Sequence, residues 1–149
     1  MKFVIQCTTQ ASVTIDQKLY SEIGKGFLGL IGICDEDTKE TADKMVRKLI
    51  GMRIFSDENG KTNLALKDVD GQLLLVSQFT LYADCKKGNR PSFVKAGSPQ
   101  HANELYEYII DACKKEVPVV KTGVFGAEME VALINDGPFT IILDSKDLA

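Results

Sequence analysis

An unbroken apolar run over Phe27–Cys34 constrains the fold more than any other feature of the sequence. The run is about eight residues long, whereas a membrane-spanning helix needs ~20 apolar residues. Because it shows no polar alternation, the run is typical of a β-strand that is buried on both faces. Gly29 and Gly32 lack side chains at points where another element could approach closely. The run therefore predicts a buried strand that other elements cover.

Two segments predict amphipathic helices. Asp37 is expected to cap the first helix, which would end near Gly51. Ser98 and Pro99 have the residue types of an N-cap and a first helical position, so they predict the start of the second helix. The expected apolar faces are Ala42, Met45, Val46, Leu49 and Ile50 in the first helix, and Ala102, Leu105, Tyr106, Ile109, Ala112 and Cys113 in the second.

Short strands joined by turns account for much of the remaining chain. Turns are predicted at Asp16–Lys18, Ser56–Gly60 and Asn135–Pro138, where turn-forming residues cluster. Together the helices and strands predict a single α+β domain over residues 1–149, with two helices on one side of the sheet. Further strands are predicted at residues 2–9, 11–15, 19–23, 53–55, 73–79, 117–122, 129–133 and 139–143.

Composition limits the classes of function. The chain has 149 residues, of which 44% are apolar and 26% charged, the balance of one globular domain. Its net charge of −3 argues against nucleic-acid binding over the whole surface but allows a local basic patch. The first residues lack the apolar core of a signal peptide, so a cytoplasmic location without membrane association is expected.

Cysteine and histidine offer few options for catalysis. Cys7, Cys34, Cys85 and Cys113 have no CxxC or zinc-site spacing, so mostly buried free thiols are expected. His101 is the single histidine, and we predict neither a metal site nor a cofactor. Cys85 lies beside two lysines, which leaves a thiol-dependent hydrolase with His101 as its base as an alternative.

One loop concentrates positive charge. Between Asp84 and Glu104 the sequence contains no acidic residue. Phe93 adds an aromatic ring to the same segment. A cationic loop of this kind suits nucleic-acid phosphates, although a solvated surface loop has the same composition. Its basic residues are Lys86, Lys87, Arg90 and Lys95.

Polar residues follow two apolar or alternating segments, at Ser77–Thr80 and Asn135–Thr140. Side chains and backbone amides at the end of a rigid strand are accessible to ligands. Glycine before proline also permits unusual backbone geometry, including a cis bond. The residues alone fit either a binding site or two ordinary turns.

At these residues the chain resembles the D-aminoacyl-tRNA deacylase family, and the resemblance covers almost its whole length. The motifs SQFTL, at Ser77–Leu81, and NDGP, at Asn135–Pro138, are together specific for the family. The matching segments are Val4–Gln6, Ala11–Thr14, Leu75–Asp84, Lys87–Phe93, Thr122–Ala127 with Met129, and Asn135–Thr140.

The resemblance implies a homodimer with a mostly antiparallel, β-barrel-like or sandwich-like core and two helices on one side. It implies hydrolysis of the ester between a D-amino acid and the 3′-terminal adenosine of tRNA, and of glycine mischarged on tRNA(Ala). The implied partners are a second copy of the chain and the acceptor end of tRNA. Neither DNA, a membrane nor a cofactor is implied.

The resemblance also implies roles for residues. In the family, the pair matching Gly137 and Pro138 has a cis peptide bond, reaches into the partner subunit's pocket and excludes L-amino acids with its carbonyl oxygens. The residues expected to form the catalytic pocket are Ser77, Gln78, Phe79 and Thr80. Substrate contacts are expected from Phe125, Gly126, Ala127, Met129 and Asn135, and tRNA phosphate contacts from Lys86, Lys87 and Arg90.

Thr80 matches a residue regarded in the family as a possible nucleophile. No base lies near it in the sequence, so we prefer attack by water, assisted by backbone groups and the ribose 2′-hydroxyl. Cys7 stands where the family usually has an arginine that braces the Gly-Pro pair, so we expect either another brace or weaker rejection of L-amino acids. A module that binds tRNA ends without turnover is a further alternative.

Overall fold

A computed structural model describes all 149 residues as eight strands and two α-helices, joined by loops and three short 3-10 helices. The 3-10 helices cover Leu66–Val69, Phe79–Tyr82 and Ser145–Asp147. The main elements are β1 (Lys2–Ile15), β2 (Lys18–Ile23), β3 (Gly26–Gly32), α1 (Lys39–Gly51), β4 (Phe55–Ser56), β5 (Thr62–Leu64), β6 (Gln72–Ser77), α2 (Pro99–Lys114), β7 (Val120–Thr122) and β8 (Glu130–Asp144).

Strand β1 organises a six-stranded sheet. On one edge it pairs with β8, and on the other its first half pairs with β3 and its second half with β2, all antiparallel. Strands β6 and β7 continue from β3 in parallel. The sheet curls into a nearly closed barrel, and the Ser21 hydroxyl on β2 donates a 2.7 Å hydrogen bond to the Thr122 carbonyl on β7. The predicted α+β class and mostly antiparallel pairing are confirmed.

Alternating side chains on the central strands form two cores. Phe27 and Ile31 on β3 belong to a cluster that includes both helices. Leu28, on the other face, packs in a second cluster with residues of β1, β2 and β6. Burial on both faces confirms the interpretation of the Phe27–Cys34 run, and both helices lie on one side of the sheet as predicted. The Tyr106 hydroxyl of α2 donates to the Leu75 carbonyl at 2.6 Å and so satisfies a buried polar group.

Asp37 does not cap α1, contrary to the prediction. Thr38 is the N-cap, and its hydroxyl accepts a 3.2 Å hydrogen bond from the Thr41 amide. Asp37 is buried, with Oδ1 2.7 Å from the Met1 ammonium and Oδ2 accepting from the Cys34 amide at 2.8 Å. A buried ammonium requires a carboxylate partner more strongly than a helix terminus does, so the helix begins one residue later.

Several strand boundaries also differ from the predictions. Residues 2–9 and 11–15 form one strand, β1, whose pairing with β8 shifts register near Thr9. Strand β6 ends at Ser77, because Phe79 already begins a 3-10 helix. Strand β7 is confined to Val120–Thr122, and β4 begins only at Phe55. On α2, Ile110 is buried in addition to the predicted residues, and Ala112 packs partly buried against the core.

The hairpin turn between β1 and β2 is confirmed. Asp16 and Gln17 have φ angles of 50° and 65°, the left-handed pair of a two-residue hairpin turn. Neither helix is long and apolar enough to cross a membrane.

Candidate active site

Three parallel strands end at the same edge of the sheet. Ser77, the last residue of β6, lies opposite Ile31 of β3, and the Gln78 amide donates to the Ile31 carbonyl at 2.8 Å. On the other side of β6, Leu75 lies opposite Thr122, after which the chain leaves β7. The carboxyl ends of adjacent parallel strands commonly carry binding residues. This edge therefore brings the predicted Ser77–Thr80 segment beside the loop that follows β7.

The Ser77–Thr80 segment turns sharply away from the sheet. It packs tightly against β3, because a Cβ atom added at Gly32 would lie 2.9 Å from Cβ of Leu81 and 3.3 Å from the Gln78 carbonyl oxygen. The side-chain amide of Gln78 donates a 2.6 Å hydrogen bond to the Thr80 hydroxyl. The amides of Phe79 and Thr80 precede the first hydrogen bond of the 3-10 helix, from Leu81 to Gln78, so the helix offers them no acceptor. They are available to a ligand.

Residues 123–129 form the second wall of this edge. The sulfur of Met129 accepts a 3.4 Å hydrogen bond from the Val124 amide, and the Ala127 amide donates to the Val124 carbonyl at 3.1 Å. The Phe125 ring packs 6.2 Å from Tyr106 of α2, which anchors the loop to the core. Gly126 is exposed with φ of 76°, a conformation that favours glycine. The structure thus brings together all the predicted substrate-contact residues except Asn135.

The basic loop adjoins the same edge. A pair of hydrogen bonds between Asp84 and Ser92, at 2.7 and 2.9 Å, closes the loop at its base. Lys95 forms a salt bridge with Asp84 at 3.2 Å. The remaining cations of the loop are exposed and form no salt bridge, so their charge is free to act on a ligand. They are Lys86, Lys87 and Arg90.

Asn135–Pro138 is not a tight turn between two strands, contrary to the prediction. Strand β8 is continuous, and the segment is a wide bulge in its pairing with β1. Gln6 pairs with Thr140 and Thr8 with Asn135, so Cys7 alone faces the four residues 136–139. The alternating sequence patterns on the two sides of this segment do not reveal that both halves of β8 pair with the same strand, β1. We call residues 136–139 the bulge; it contains a cis peptide bond between Gly137 and Pro138.

Asn135 braces the bulge. Its side-chain oxygen accepts from the Phe139 amide at 2.9 Å, and its side-chain nitrogen donates to the Thr140 hydroxyl at 3.0 Å. Cys7 is buried in the core beneath it, and burial together with the negative charge of Asp136 raises the pKa of its thiol to about 11. The side chain of Asn135 therefore holds the bulge by hydrogen bonds that do not involve Cys7.

Within one chain the bulge lies far from the Ser77–Thr80 segment. Thr8, opposite Asn135, also pairs with Gly26 at the start of β3, whereas Ser77 pairs with Ile31 near its end. At ~3.3 Å per residue, this difference is about 17 Å along the strand direction. Strands β1 and β3 also lie between β8 and β6. Within a single chain, therefore, Asn135, Gly137 and Pro138 lie far from the predicted catalytic pocket.

The thiol alternative receives no structural support. Burial raises the pKa of Cys113 to about 12 and also raises the pKa of Cys34, so these thiols remain neutral at pH 7. Cys85 is exposed on the basic loop. His101 Nε2 lies 3.0 Å from the Asp37 carbonyl oxygen, in a contact that involves no thiol. No group of three or more His, Cys, Asp or Glu side chains is arranged to hold a metal ion.

Comparisons with known proteins agree on one family. The family model described as D-Tyr-tRNA(Tyr) deacylase matches residues 4–144. D-aminoacyl-tRNA deacylases of Clostridium novyi and Clostridium acetobutylicum are 51% and 50% identical over 146 residues, covering 98% of this chain and 98% of each relative.

Solved structures show the same fold. A structure of the c-Myc DNA Unwinding Element Binding Protein has a TM-score of 0.91 at 41% identity, covering 97% of this chain and 98% of that one. The structure of a probable eukaryotic D-amino acid tRNA deacylase has a TM-score of 0.82 at 18% identity, covering 95% and 97%, which is a likeness of fold.

Proposed function

The chain belongs to the D-aminoacyl-tRNA deacylase family and is therefore a hydrolase, and from this premise we propose that its active site is completed across a homodimer. In this proposal the Ser77–Thr80 pocket of one subunit receives the bulge of the other. The observation that carries it is the separation, within one chain, of two segments that the resemblance to the family assigns to one active site. The substrate is the ester of a D-amino acid with the 3′-terminal adenosine of tRNA.

Strand β8 supports association with a second copy. One edge of this 15-residue strand pairs with β1, and the other edge has no partner. Ile134 and Ile142 on β8 are 51% and 71% exposed. Long unpaired strands with exposed apolar side chains favour association with another chain.

A row of apolar side chains across β3, β1 and β8 has a position that suits a two-fold axis. Val4 pairs with both Leu30 and Ile142, so the three side chains lie on one face of the sheet. Along β1 this row lies between Lys2, which is level with Gly32 at the pocket edge, and Gln6, which is level with Thr140 beside the bulge. A two-fold axis through the row would bring each bulge to the pocket of the other subunit.

The bulge would select chirality by exclusion. Asp136, Gly137 and Pro138 are exposed, and Asn135 holds their backbone in place. Backbone carbonyls that fill one substituent position at the amino-acid Cα reject a side chain there without requiring affinity for any side chain. We therefore propose strict stereochemistry with broad side-chain tolerance. Glycine has no side chain to reject, so glycine mischarged on tRNA(Ala) is also a substrate in this proposal.

The proposed reaction is direct attack by water. The water oxygen bonds to the ester carbonyl carbon, and the amides of Phe79 and Thr80 donate to the resulting oxyanion. The bond to the ribose 3′-oxygen then breaks, and the 2′-hydroxyl relays the proton lost by water to that oxygen. The Thr80 hydroxyl accepts from the side-chain amide of Gln78 at 2.6 Å. Since an amide is not a base, this contact does not activate Thr80 as a nucleophile.

A paired deacylation assay tests the function. Catalytic amounts of protein are given D-tyrosyl-tRNA or L-tyrosyl-tRNA, and ester loss is followed over time. We expect many turnovers of the D-ester, little loss of the L-ester, and no initial burst, because no acyl-enzyme forms on Thr80. No turnover of either ester would support a binding module without catalysis, and a burst would support Thr80 as nucleophile.

The Asn135 brace is expected to control chiral selection. Asn135→Ala removes two hydrogen bonds worth about 1 kcal/mol each. We expect hydrolysis of L-tyrosyl-tRNA to rise about 5- to 30-fold with the D-rate nearly unchanged. Asn59→Ala, in an exposed turn, is the control. Unchanged selectivity in Asn135→Ala would contradict the role of the brace.

Cys7 is tested in the same assay. If its lack of a guanidinium weakens the bulge, Cys7→Arg lowers the L-rate below that of the natural protein. Equal L-rates in the two proteins would mean that Asn135 alone suffices. Because Cys7 is buried, the circular dichroism spectrum of the variant is compared with that of the natural protein before its rates are interpreted.

The basic loop would hold the acceptor end of tRNA. Lys86, Lys87 and Arg90 adjoin the pocket edge without competing salt bridges, which suits contacts to phosphates. In a chain with net charge −3, this confined cationic surface fits the end of an RNA better than a length of duplex DNA. A tRNA substrate also suits the proposed cytoplasmic location, and the proposal includes neither a membrane partner nor a cofactor.

A further inference from the structure

Two exposed aromatic rings lie together where the pocket segment meets the basic loop. Phe79 is 54% exposed and Phe93 is 37% exposed. Their ring centroids are 5.0 Å apart with an interplanar angle of 72°, an edge-to-face contact. Single exposed apolar side chains are common, whereas a contacting pair at a candidate site suits a surface that binds a ligand or another chain. We call Phe79 and Phe93 the aromatic pair.

The aromatic pair joins the pocket to the basic loop. Phe79 belongs to the Ser77–Thr80 pocket segment, whereas Phe93 lies on the returning side of the basic loop, next to Ser92. In an edge-to-face contact the edge of one ring meets one face of the other, so the contact leaves the remaining ring faces unused, and both rings stay partly exposed. The cations Lys86 and Lys87 occur on the same loop and form no salt bridge.

We propose that the aromatic pair is a stacking platform for the unpaired nucleotide that precedes the terminal adenosine of the substrate. This inference rests on the proposed function, because it takes the adenosine ester to occupy the adjoining pocket. Aromatic rings flanked by cations are the usual means of binding single-stranded nucleic acid, since the rings stack on bases and the cations neutralise phosphates. The 3′ end of tRNA is unpaired, so its bases are free to stack in this way.

The platform would recognise RNA ends without reading their sequence. Stacking on an aromatic ring depends on the flat face that every base has, and neither phenylalanine offers a hydrogen-bond donor or acceptor to a base edge. The contribution is expected to be affinity for a strand end rather than discrimination among tRNAs. It would also orient the adenosine ester by holding the nucleotide before it.

Binding of short RNAs tests the platform independently of catalysis. The probe is the uncharged trinucleotide CCA with a fluorescent label at its 5′ end, and adenosine 5′-monophosphate is the competitor that lacks the preceding nucleotide. Phe93→Ala is expected to weaken CCA binding about 5- to 150-fold, the equivalent of a lost stacking energy of ~1–3 kcal/mol. Phe93→Trp is expected to keep the affinity. Val94→Ala, on the same loop and 86% exposed, is the matched control.

Kinetics provide the second measurement. The kcat/KM of Phe93→Ala is measured with D-tyrosyl-tRNA and with the 3′-D-tyrosyl ester of adenosine. We expect the ratio of tRNA to adenosine-ester efficiency to fall by the same factor as CCA affinity. If the natural protein hydrolyses neither ester, the proposed function fails, while CCA binding still decides the platform.

Three results would overturn the platform. One is CCA affinity that does not change in Phe93→Ala. The second is an equal loss of affinity for adenosine 5′-monophosphate, which would assign the ring to the adenosine pocket. The third is a shift from dimer to monomer in Phe93→Ala, measured by analytical ultracentrifugation, that accompanies the loss of CCA affinity, which would make the aromatic pair a contact between copies.

Discussion

We expect a heterodimer of two defective variants to be a selective enzyme. One variant, Thr80→Trp, has a blocked pocket and is inactive by itself, and the other, Gly137→Val, has a distorted bulge and is unselective by itself. Thr80→Trp introduces a large ring at an exposed position of the pocket and should abolish hydrolysis without disturbing the core. Gly137→Val distorts the bulge, because Gly137 has φ of 132° and a Cβ atom there would lie 3.1 Å from the Phe139 amide nitrogen. Its homodimer should hydrolyse L-esters that the natural protein rejects.

The two variants are co-expressed with different tags, and the heterodimer is purified through both. Its only open pocket, on the Gly137→Val subunit, faces the intact bulge of the Thr80→Trp subunit if the site is shared. We expect this pocket to reject L-tyrosyl-tRNA. Compared with the Gly137→Val homodimer, the L-rate should fall about 5- to 150-fold, since forcing groups into filled space costs about 1–3 kcal/mol.

A matched heterodimer separates the two arrangements. It pairs a natural subunit with one that carries both substitutions. A shared site gives its open pocket a distorted bulge, so L-tyrosyl-tRNA is hydrolysed. If the bulge served its own chain, this second heterodimer would be the selective one and the first would not. The pair of results therefore contradicts or supports the shared site whatever the absolute rates.

The distance between the bulge and the Ser77–Thr80 pocket within one chain also explains how much of the site the sequence could predict. Ser77–Thr80 and the loop up to Met129 follow strands with clear apolar patterns, so their location at strand ends was readable. The bulge was not, because both flanking segments look like independent strands until their common pairing with β1 is known. The aromatic pair was also hidden, since Phe79 and Phe93 meet only through the fold of the basic loop. Distances between chain segments depend on register, which no local pattern contains.

Apolar periodicity and helix-cap residues predicted the fold well wherever no distant residue competed with them. The Phe27–Cys34 run and the cap at Ser98 agree with β3 and α2, because apolar periodicity and cap chemistry act within a few residues. The cap of α1 was wrong for a non-local reason. Asp37 pairs with Met1, which is 36 residues away in the chain, and Thr38 takes its place as the cap.

Among the substitutions proposed for this protein, removal of the Asp37 carboxylate is expected to cause the largest loss in the free energy of unfolding. Asp37 and the Met1 ammonium are buried at 2.7 Å from each other, and the only other side-chain partner of the ammonium is the Ser145 hydroxyl at 2.9 Å. Asp37→Ala would leave a buried charge without its counter-ion and the Cys34 amide without its acceptor. Breaking one partner of a buried ion pair costs about 3–5 kcal/mol. We expect urea denaturation, followed by circular dichroism, to show a loss of that size.

Asp35→Ala is the control for Asp37→Ala. Asp35 is exposed and accepts one hydrogen bond, from the Ser98 amide at 2.9 Å, so its loss should cost about 1 kcal/mol. Both proteins carry any tag at the C-terminus, so that the Met1 ammonium stays free. Equal unfolding free energies for the two variants would contradict a structural role for the pair.

Because Lys2 lies opposite Gly32, the ion pair adjoins the pocket edge of the sheet. We therefore expect Asp37→Ala to lower deacylase activity under conditions in which the variant is still folded, whereas Asp35→Ala leaves the activity unchanged.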